Sequence, residues 1–504
     1  MLRRLALAAA LFASFPFAHA QLPAPVAQTM KLNGIADHEV GVLVLRGDAT
    51  VLAHGERVAM QPASTMKVVT TLVSLERLGP VFRGRTELRS NGQVESGVLR
   101  GDLVLRGGAD ADLDGKVLED MLRALRYAGI ERIEGNLVLD RSLFQPARQD
   151  LGAPPFDESP EAYYNVIPDA LLVNKNMLQV DMRSTSGSLA LRMHPELDRV
   201  SLTSEMTLVD ADCAKWEAGW KLPEARRQPD GSVQVVLRGT FPKNCVHSYG
   251  INVLDRDDYV GALVRRIWQG LGGTLAGRTL AGTTPPGTRL LAAHAARALP
   301  EIIRDTNKLS DNALARTLLL SLGSLQADPL EGSLPLPAPQ EGVTTQARAD
   351  AAIRDWMRSQ RIVDAGFVIE NGSGLSRTER ITSQQMGQVL QAGLRSQWAP
   401  EFQASLPIGA VDGTMRRRLQ DSPAAGRARL KTGSIRNVVA LAGYVPDASG
   451  TPCVFVAFVN SERAGEGRGR AVLDALVDWV ARSGTAQLPA AAQAETPAPL
   501  QPAL

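Results

Sequence analysis

Cysteine is scarce. The 504 residues hold three, with no Cys-x-x-Cys pair and no His-Glu-x-x-His, so no metal site or dithiol centre is indicated. Histidine is scarce too: six occur, one of them at position 19, and no Gly-x-Ser-x-Gly turn accompanies them, which disfavours a Ser-His-Asp hydrolase. An excess of one charge is missing. Against 55 basic residues stand 53 acidic ones, a net +2 that falls to zero once Arg3 and Arg4 are set aside. Such a chain has no electrostatic footprint for nucleic acid or for an anionic membrane surface. Beyond residue 20 there is no run of about 18 apolar residues, so no spanning helix is expected. Lysine is the last shortage, nine against 46 Arg. Arg stays charged in a protein whereas Lys can lose its proton, so the few Lys positions merit individual inspection.

What is present is ordinary globular material, 44% hydrophobic and 21% charged, clear of disordered composition. At about 150 residues per domain, the length suggests about three domains. Met1-Leu2-Arg3-Arg4, the apolar stretch Leu5 to Phe17 and Ala18-His19-Ala20 follow the grammar of an export signal cleaved before Gln21. No Cys follows that site, so no lipid anchor is expected. Cys213 and Cys245 lie 32 residues apart in a strand-rich region and could form one disulfide in an oxidising compartment. Two buried thiols are the alternative. Cys453, beside the apolar run Val454 to Val459, reads as core.

Residues 40–54 read as a hairpin turning at Gly47-Asp48, followed by a helix from Ser64 to Leu78 that Gly79-Pro80 stops. Its apolar residues go nearly all round, the mark of a buried helix. Residues 97–140 alternate strand, helix and strand, with the helix at about Lys116 to Tyr127. From about 163 to 260 the pattern is short strands, among them Leu178 to Met182, Leu189 to Met193 and Val233 to Leu237. Helices are expected at 257–270, from Leu299 to Leu322 and near 345–359, the last two separated by a Pro-rich loop at 326–340. Strands Arg429 to Ile435, Val438 to Val445 and Cys453 to Asn460 precede a final helix, Ala471 to Arg482. The Ala/Pro/Gln-rich tail, 484–504, is expected to be disordered and carries no amphipathic anchor pattern. Two strands from one end and three from the other make one five-stranded antiparallel sheet with helices on both faces and inserts between.

Among the nine Lys, Lys67 alone has a Ser three residues before it, Ser64. At i and i+3 on a helix the two side chains share a face. At the helix start Ser64 would sit in the positive end of the macrodipole, and burial would lower the Lys67 pKa until a neutral amine can take the Ser64 proton. A capped helix with a solvated Lys is the plain alternative. Two further motifs favour chemistry: Ser310-Asp311-Asn312, the sole Ser-x-Asn, and Lys431-Thr432-Gly433, the sole Lys-Thr-Gly. All three motifs in this order are expected by chance on the order of 0.003 times.

These motifs resemble the signature of penicillin-binding proteins and serine β-lactamases. Within that group the chain resembles the D-alanyl-D-alanine carboxypeptidase/endopeptidases of the penicillin-binding protein 4 type, the peptidase S13 family, which carry large inserts between the first two motifs. Here 243 residues separate Lys67 from Ser310. Further matches are Gly101 to Gly108, Val173-Asn174-Lys175-Asn176, Asn307-Lys308, Gly372-Ser373-Gly374-Leu375-Ser376-Arg377, and Ser405-Leu406-Pro407 leading to Asp412-Gly413-Thr414. Asn371 stands where the family usually has Asp. A turn can be held by either.

The resemblance implies an α/β (α+β) penicillin-binding, β-lactamase-like transpeptidase domain with two inserted domains. The expected division is a signal peptide at 1–20, the catalytic domain at 21–88 and 262–483, an αβ insert at 89–162, a mainly β insert at 163–261 and the tail. It implies Ser64 as the acylated nucleophile and Lys67 as its base. Ser310 would relay a proton to the leaving amine, Asn312 would hold the substrate peptide, and Lys431 would meet the substrate's terminal carboxylate with Thr432 and Ser434. Gly433 would allow close approach of a ligand to the strand edge. The backbone N–H groups of Ser64 and Ser434 would form the oxyanion hole. Leu375 and Arg377, with Asp157 as the acidic partner from the insert, would contact the free amino-acid end of the peptide stem. Expected partners are peptidoglycan stem peptides and β-lactam antibiotics in the periplasm, with no cofactor, nucleic acid or stable membrane anchor. Oligomeric state and the role of Lys308 stay open. A β-lactamase shares the motifs, but no Glu-x-x-Leu-Asn segment supplies a separate deacylating base. A non-catalytic cell-wall-binding protein would have no reason to retain Ser64, Lys67, Ser310, Asn312 and Lys431 together.

Overall fold

A central sheet joins the two ends of the chain. In the computed structural model, which describes residues 22–338 and 340–484, its order is Ala49–His54, Val40–Arg46, Pro452–Asn460, Val438–Pro446 and Arg429–Ile435. Every neighbouring pair is antiparallel. The expected leader and all of the expected tail beyond residue 484 lie outside the described residues. Strand Pro452–Asn460 is apolar on both faces, Cys453 included, because both faces are covered. On one face pack the buried helix Met66–Leu78 and helices Leu299–Lys308, Asn312–Leu322 and Ser383–Arg395. On the other lie Arg468–Arg482 and an N-terminal helix, Ala24–Asn33, whose short pattern gave no clear sequence signal.

The expected helix from Leu299 to Leu322 is two helices, Leu299–Lys308 and Asn312–Leu322. Ser310 takes a left-handed backbone, φ +60°, which ends the first helix. Asp311 then caps the second by accepting the Leu314 N–H at 3.0 Å. Both halves bury apolar residues, so the hydrophobic pattern runs across the break.

The inserted region starts earlier and ends later than the expected boundaries at 89 and 262. Strand Arg85–Ser90 already belongs to its sheet, whose order is Thr279–Gly282, Leu137–Asp140, Leu103–Gly108, Arg85–Ser90, Arg289–Ala295. The chain therefore returns to the helices packed on the central sheet after residue 295. Strands Thr279–Gly282 and Arg289–Ala295 lie at the sheet's two edges and are largely exposed, so they lack the apolar alternation that marks a strand. Strands fill residues 178–251, within the 163–261 segment expected as a mainly β insert, and their core is continuous with that of helix Gly115–Tyr127 and strands Leu103–Gly108 and Leu137–Asp140. Cys213 and Cys245 are bonded, with their Cα atoms 5.3 Å apart. Among the described residues no helix is long and apolar enough to cross a membrane.

Candidate active site

Ser64 lies in a 3₁₀ turn, Ala63–Thr65, that runs directly into helix Met66–Leu78. Thr65 Oγ1 donates to the Pro62 carbonyl at 2.7 Å, and Ala63 holds a left-handed backbone, φ +46°. Two glycines let other segments press on this turn. A Cβ at Gly433 would lie 2.7 Å from the Pro62 oxygen, and one at Gly374 would lie 1.9 Å from the Ala63 oxygen. Gly433 thus serves close approach of the Lys-Thr-Gly strand to the backbone before Ser64, a protein contact where ligand access alone was expected.

Lys67 is fully buried. Its Nζ lies 3.0 Å from Ser64 Oγ and donates to Asn312 Oδ1 at 2.6 Å and to the Ser373 carbonyl at 2.5 Å. Burial, reinforced by the Lys431 charge, holds the Lys67 pKa well below the ordinary lysine value. A neutral amine keeps two N–H bonds for Asn312 and Ser373, which leaves its lone pair for the Ser64 hydroxyl proton. The Ser373 carbonyl was not foreseen as a member of this set, because a backbone acceptor leaves no signature in sequence.

Across the cleft, Lys431 is also fully buried, and its Nζ donates to Ser310 Oγ at 2.9 Å and to the Thr432 carbonyl at 2.8 Å. Burial alone brings its pKa down to about 7. Thr432 Oγ1 donates to Thr414 Oγ1 at 2.8 Å. Asn312 Nδ2 donates to the Tyr164 carbonyl at 2.8 Å, so this side chain links Lys67 to the inserted region. Asp311, between Ser310 and Asn312, accepts from Lys175 Nζ at 2.9 Å and from the Tyr163 hydroxyl. Burial would raise its pKa, but Lys175, Tyr163 and the Leu314 N–H bring it below the ordinary value. Lys175 stands in the Val-Asn-Lys-Asn stretch, to which sequence had assigned no role.

The cleft in front of Ser64 has a volume of about 510 Å³, and Ser310, Asn312, Leu375, Arg377, Ser434 and Asp157 line it. Arg377 and Asp157 do not pair with each other. The Arg377 guanidinium stacks over Phe156, 4.6 Å from the ring centre. Asp157 accepts from the Tyr164 hydroxyl at 2.9 Å and from Asn165 Nδ2 at 2.8 Å. Asn371 holds its turn as expected: its Oδ1 accepts from the Ser373 N–H at 3.0 Å and its Nδ2 donates to the Leu375 carbonyl at 2.9 Å. Lys308 points elsewhere, pairing with Asp412 at 2.5 Å and donating to the Leu406 carbonyl at 3.2 Å. It ties the helix before Ser310 to the loop that carries Thr414.

A Ser-x-x-Lys helix facing a Ser-x-Asn turn and a Lys-Thr-Gly edge strand is the arrangement of the penicillin-binding, transpeptidase-type fold. The sequence matches the D-Ala-D-Ala carboxypeptidase 3 (S13) family over residues 22–483, and the chain belongs to that family. It is 27% identical over 414 residues to the D-alanyl-D-alanine carboxypeptidase DacB of Haemophilus influenzae, covering 81% of this chain and 82% of the relative. It is 26% identical over 447 residues to the D-alanyl-D-alanine carboxypeptidase of Actinomadura sp. R39, covering 86% and 79%. The crystal structure of penicillin binding protein 4 (dacB) from H. influenzae shares the fold, with a TM-score of 0.71 at 23% identity over 90% of this chain and 97% of that one.

Proposed function

We propose that the protein is a serine D-Ala-D-Ala carboxypeptidase and D,D-endopeptidase that cuts peptidoglycan stem peptides through an acyl-enzyme on Ser64. The observation that carries this reading is the Ser64–Lys67 pair, 3.0 Å apart, with Lys67 depressed by full burial. Neutral Lys67 takes the hydroxyl proton as Ser64 Oγ attacks the carbonyl of the penultimate D-Ala. As the tetrahedral adduct collapses, the leaving amine receives a proton from Ser310, which Lys431 resupplies across 2.9 Å. The Ser64 and Ser434 N–H groups receive the oxyanion, and Thr432, Ser434 and Lys431 receive the terminal carboxylate. Lys67 then gives up the Ser64 proton and Lys431 regains one through solvent, so that neutral Lys67 takes a proton from the attacking water and returns it to Ser64 Oγ as the acyl group leaves as a free acid. Leu375, Arg377 and Asp157 hold the stem on the far side of the cleft.

The same chemistry makes penicillin an acylating inhibitor. The Ala18-His19-Ala20 site and the Cys213–Cys245 bond support export to an oxidising periplasm. Labelling with a fluorescent penicillin, followed by digestion of purified muropeptides with mass analysis, tests the reading. A stable adduct lost in Ser64→Ala, with release of D-Ala and of cleaved cross-links, is expected. No adduct on the intact protein would remove the acyl-enzyme mechanism, and rapid turnover of the drug would point to a β-lactamase.

A further inference from the structure

Behind the wall formed by Phe156, Leu375 and Arg377 lies a second cavity, also of about 510 Å³. These three residues border both spaces, so the two adjoin. Its walls mix apolar residues, Pro154, Ile167, Pro168, Leu319 and Leu320 among them, with polar ones.

Three charged residues line it, Arg316, Arg377 and Glu370. Arg316, on helix Asn312–Leu322, is 8% exposed and lines the cavity. Its Nη1 donates to the carbonyls of Asn165 at 3.1 Å and Val166 at 2.7 Å, while its buried Nε has no hydrogen-bond partner. Among the described residues no carboxylate lies within 4 Å of this guanidinium. Burial lowers its pKa to about 10, while Glu379 and Glu370 favour the charged form from a distance without pairing. Each carboxylate is held by other groups through one oxygen, and the second oxygen of Glu379 is buried without a partner. Glu379 Oε1 accepts the N–H groups of Glu370, Asn371 and Gly372, and Glu370 Oε2 accepts from Thr378 Oγ1 at 2.7 Å and from Ser376. Arg316 is thus a buried guanidinium with an unused donor, beside an open space that also holds Arg377, and the one carboxylate lining that space, Glu370, does not pair with it.

We infer that this cavity is a subsite for a carboxylate of the peptide stem, lying further from the scissile bond than the group that meets Arg377 and Asp157, with Arg316 as its anion-binding residue. The inference rests on the peptidoglycan reading above. In a stem, the γ-linked glutamyl residue upstream of the D-Ala-D-Ala end carries such a carboxylate, and amidation makes it neutral at nearly constant shape. Charge-assisted hydrogen bonds from Arg316 should therefore separate acid from amide stems by about tenfold in affinity.

The test is titration calorimetry of the full chain carrying Ser64→Ala, with two synthetic stem pentapeptides that differ in that carboxylate and its carboxamide. The acid should bind about tenfold more tightly. Adding Arg316→Gln should weaken the acid peptide alone and bring the two together, while Arg316→Lys restores part of the preference. Equal affinities before Arg316 is changed would overturn the subsite. So would an Arg316→Gln protein that loses both peptides in parallel, since that is the behaviour of a residue that only braces the Asn165–Val166 carbonyls. Penicillin labelling of the intact protein reports separately on the catalytic reading, whatever these affinities are.

Discussion

Lys67 and Lys431 are equally buried, yet their surroundings ask different things of them. In the proposed mechanism Lys67, which meets Ser64 and two acceptors, must be neutral to work, and its burial favours that form. Lys431 meets Ser310 and must bring a proton and a charge, both of which it loses as pH rises through about 7. Acylation by carboxylate-bearing substrates should accordingly fall on the alkaline side of about 7. Lys67→Arg should abolish acylation at every pH, by at least about a thousandfold, because an arginine cannot become the base. Lys431→Arg keeps the charge but cannot give Ser310 a proton, so it should leave only partial activity, and it should remove the alkaline fall because arginine does not titrate. Stopped-flow penicillin acylation across pH 5 to 10 measures both. An alkaline limb unchanged in Lys431→Arg, or equal loss in the two variants, would reverse the role assignment. At this scale the sequence was most informative. Three motifs named the groups, since a scarce Lys at i+3 from Ser is visible in a string, whereas the carbonyls of Ser373 and Tyr164 that orient them are not.

The turn between helices Leu299–Lys308 and Asn312–Leu322 shows where element-level reading stopped. Apolar residues continue at helical spacing through Ile302, Ile303, Leu314 and Leu318, so periodicity reported one helix. The available signal was Ser310-Asp311 ahead of an apolar run, the mark of an N-cap. Breaking the helix there turns Ser310 toward Lys431 and Asn312 toward Lys67 from adjacent positions. Asp311 holds this arrangement through the Leu314 N–H, Lys175 and Tyr163. Asp311→Ala removes the cap and leaves a lysine and a phenol without their acceptor, a loss of about 2–3 kcal/mol. Asp311→Asn, which can still accept from Leu314, should lose less. Urea unfolding and penicillin acylation rates should rank wild type, Asn and Ala in that order. An Ala variant that acylates at the wild-type rate would show that the turn needs no such brace.

At the scale of the whole molecule, composition and spacing showed that a large insertion separates Ser64 from Ser310, but not what its β region does or where it ends. Its return strands are exposed sheet edges without an apolar pattern, and its contribution to the cleft comes through a single loop. That loop carries Phe156, Asp157 and Tyr164 to the front of Ser64. It is tied down at Glu161, a buried residue whose carboxylate accepts from Trp220 Nε1 at 2.9 Å and whose carbonyl accepts from the Asn252 N–H at 2.8 Å. Trp220 opens the β strand Trp220–Arg227 and packs edge-on against Trp216 and Tyr249. The β region therefore braces this loop and lends the cleft in front of Ser64 no lining residue of its own. Trp220→Phe keeps most of the aromatic packing but removes the N–H, so Glu161, which already has one oxygen without a partner, would lose the acceptor role of the other. Leaving that carboxylate unpaired costs about 1–3 kcal/mol locally and should loosen the loop. For a stem peptide, KM should rise by about fivefold with kcat little changed, the pattern of lost binding and not of lost transition-state contact. Penicillin, too small to need the wall, should acylate Ser64 within about twofold of the wild-type rate. Parallel losses in peptide kcat and penicillin acylation would mean that the β region acts on the chemistry itself, through the Tyr164 carbonyl and Asn312.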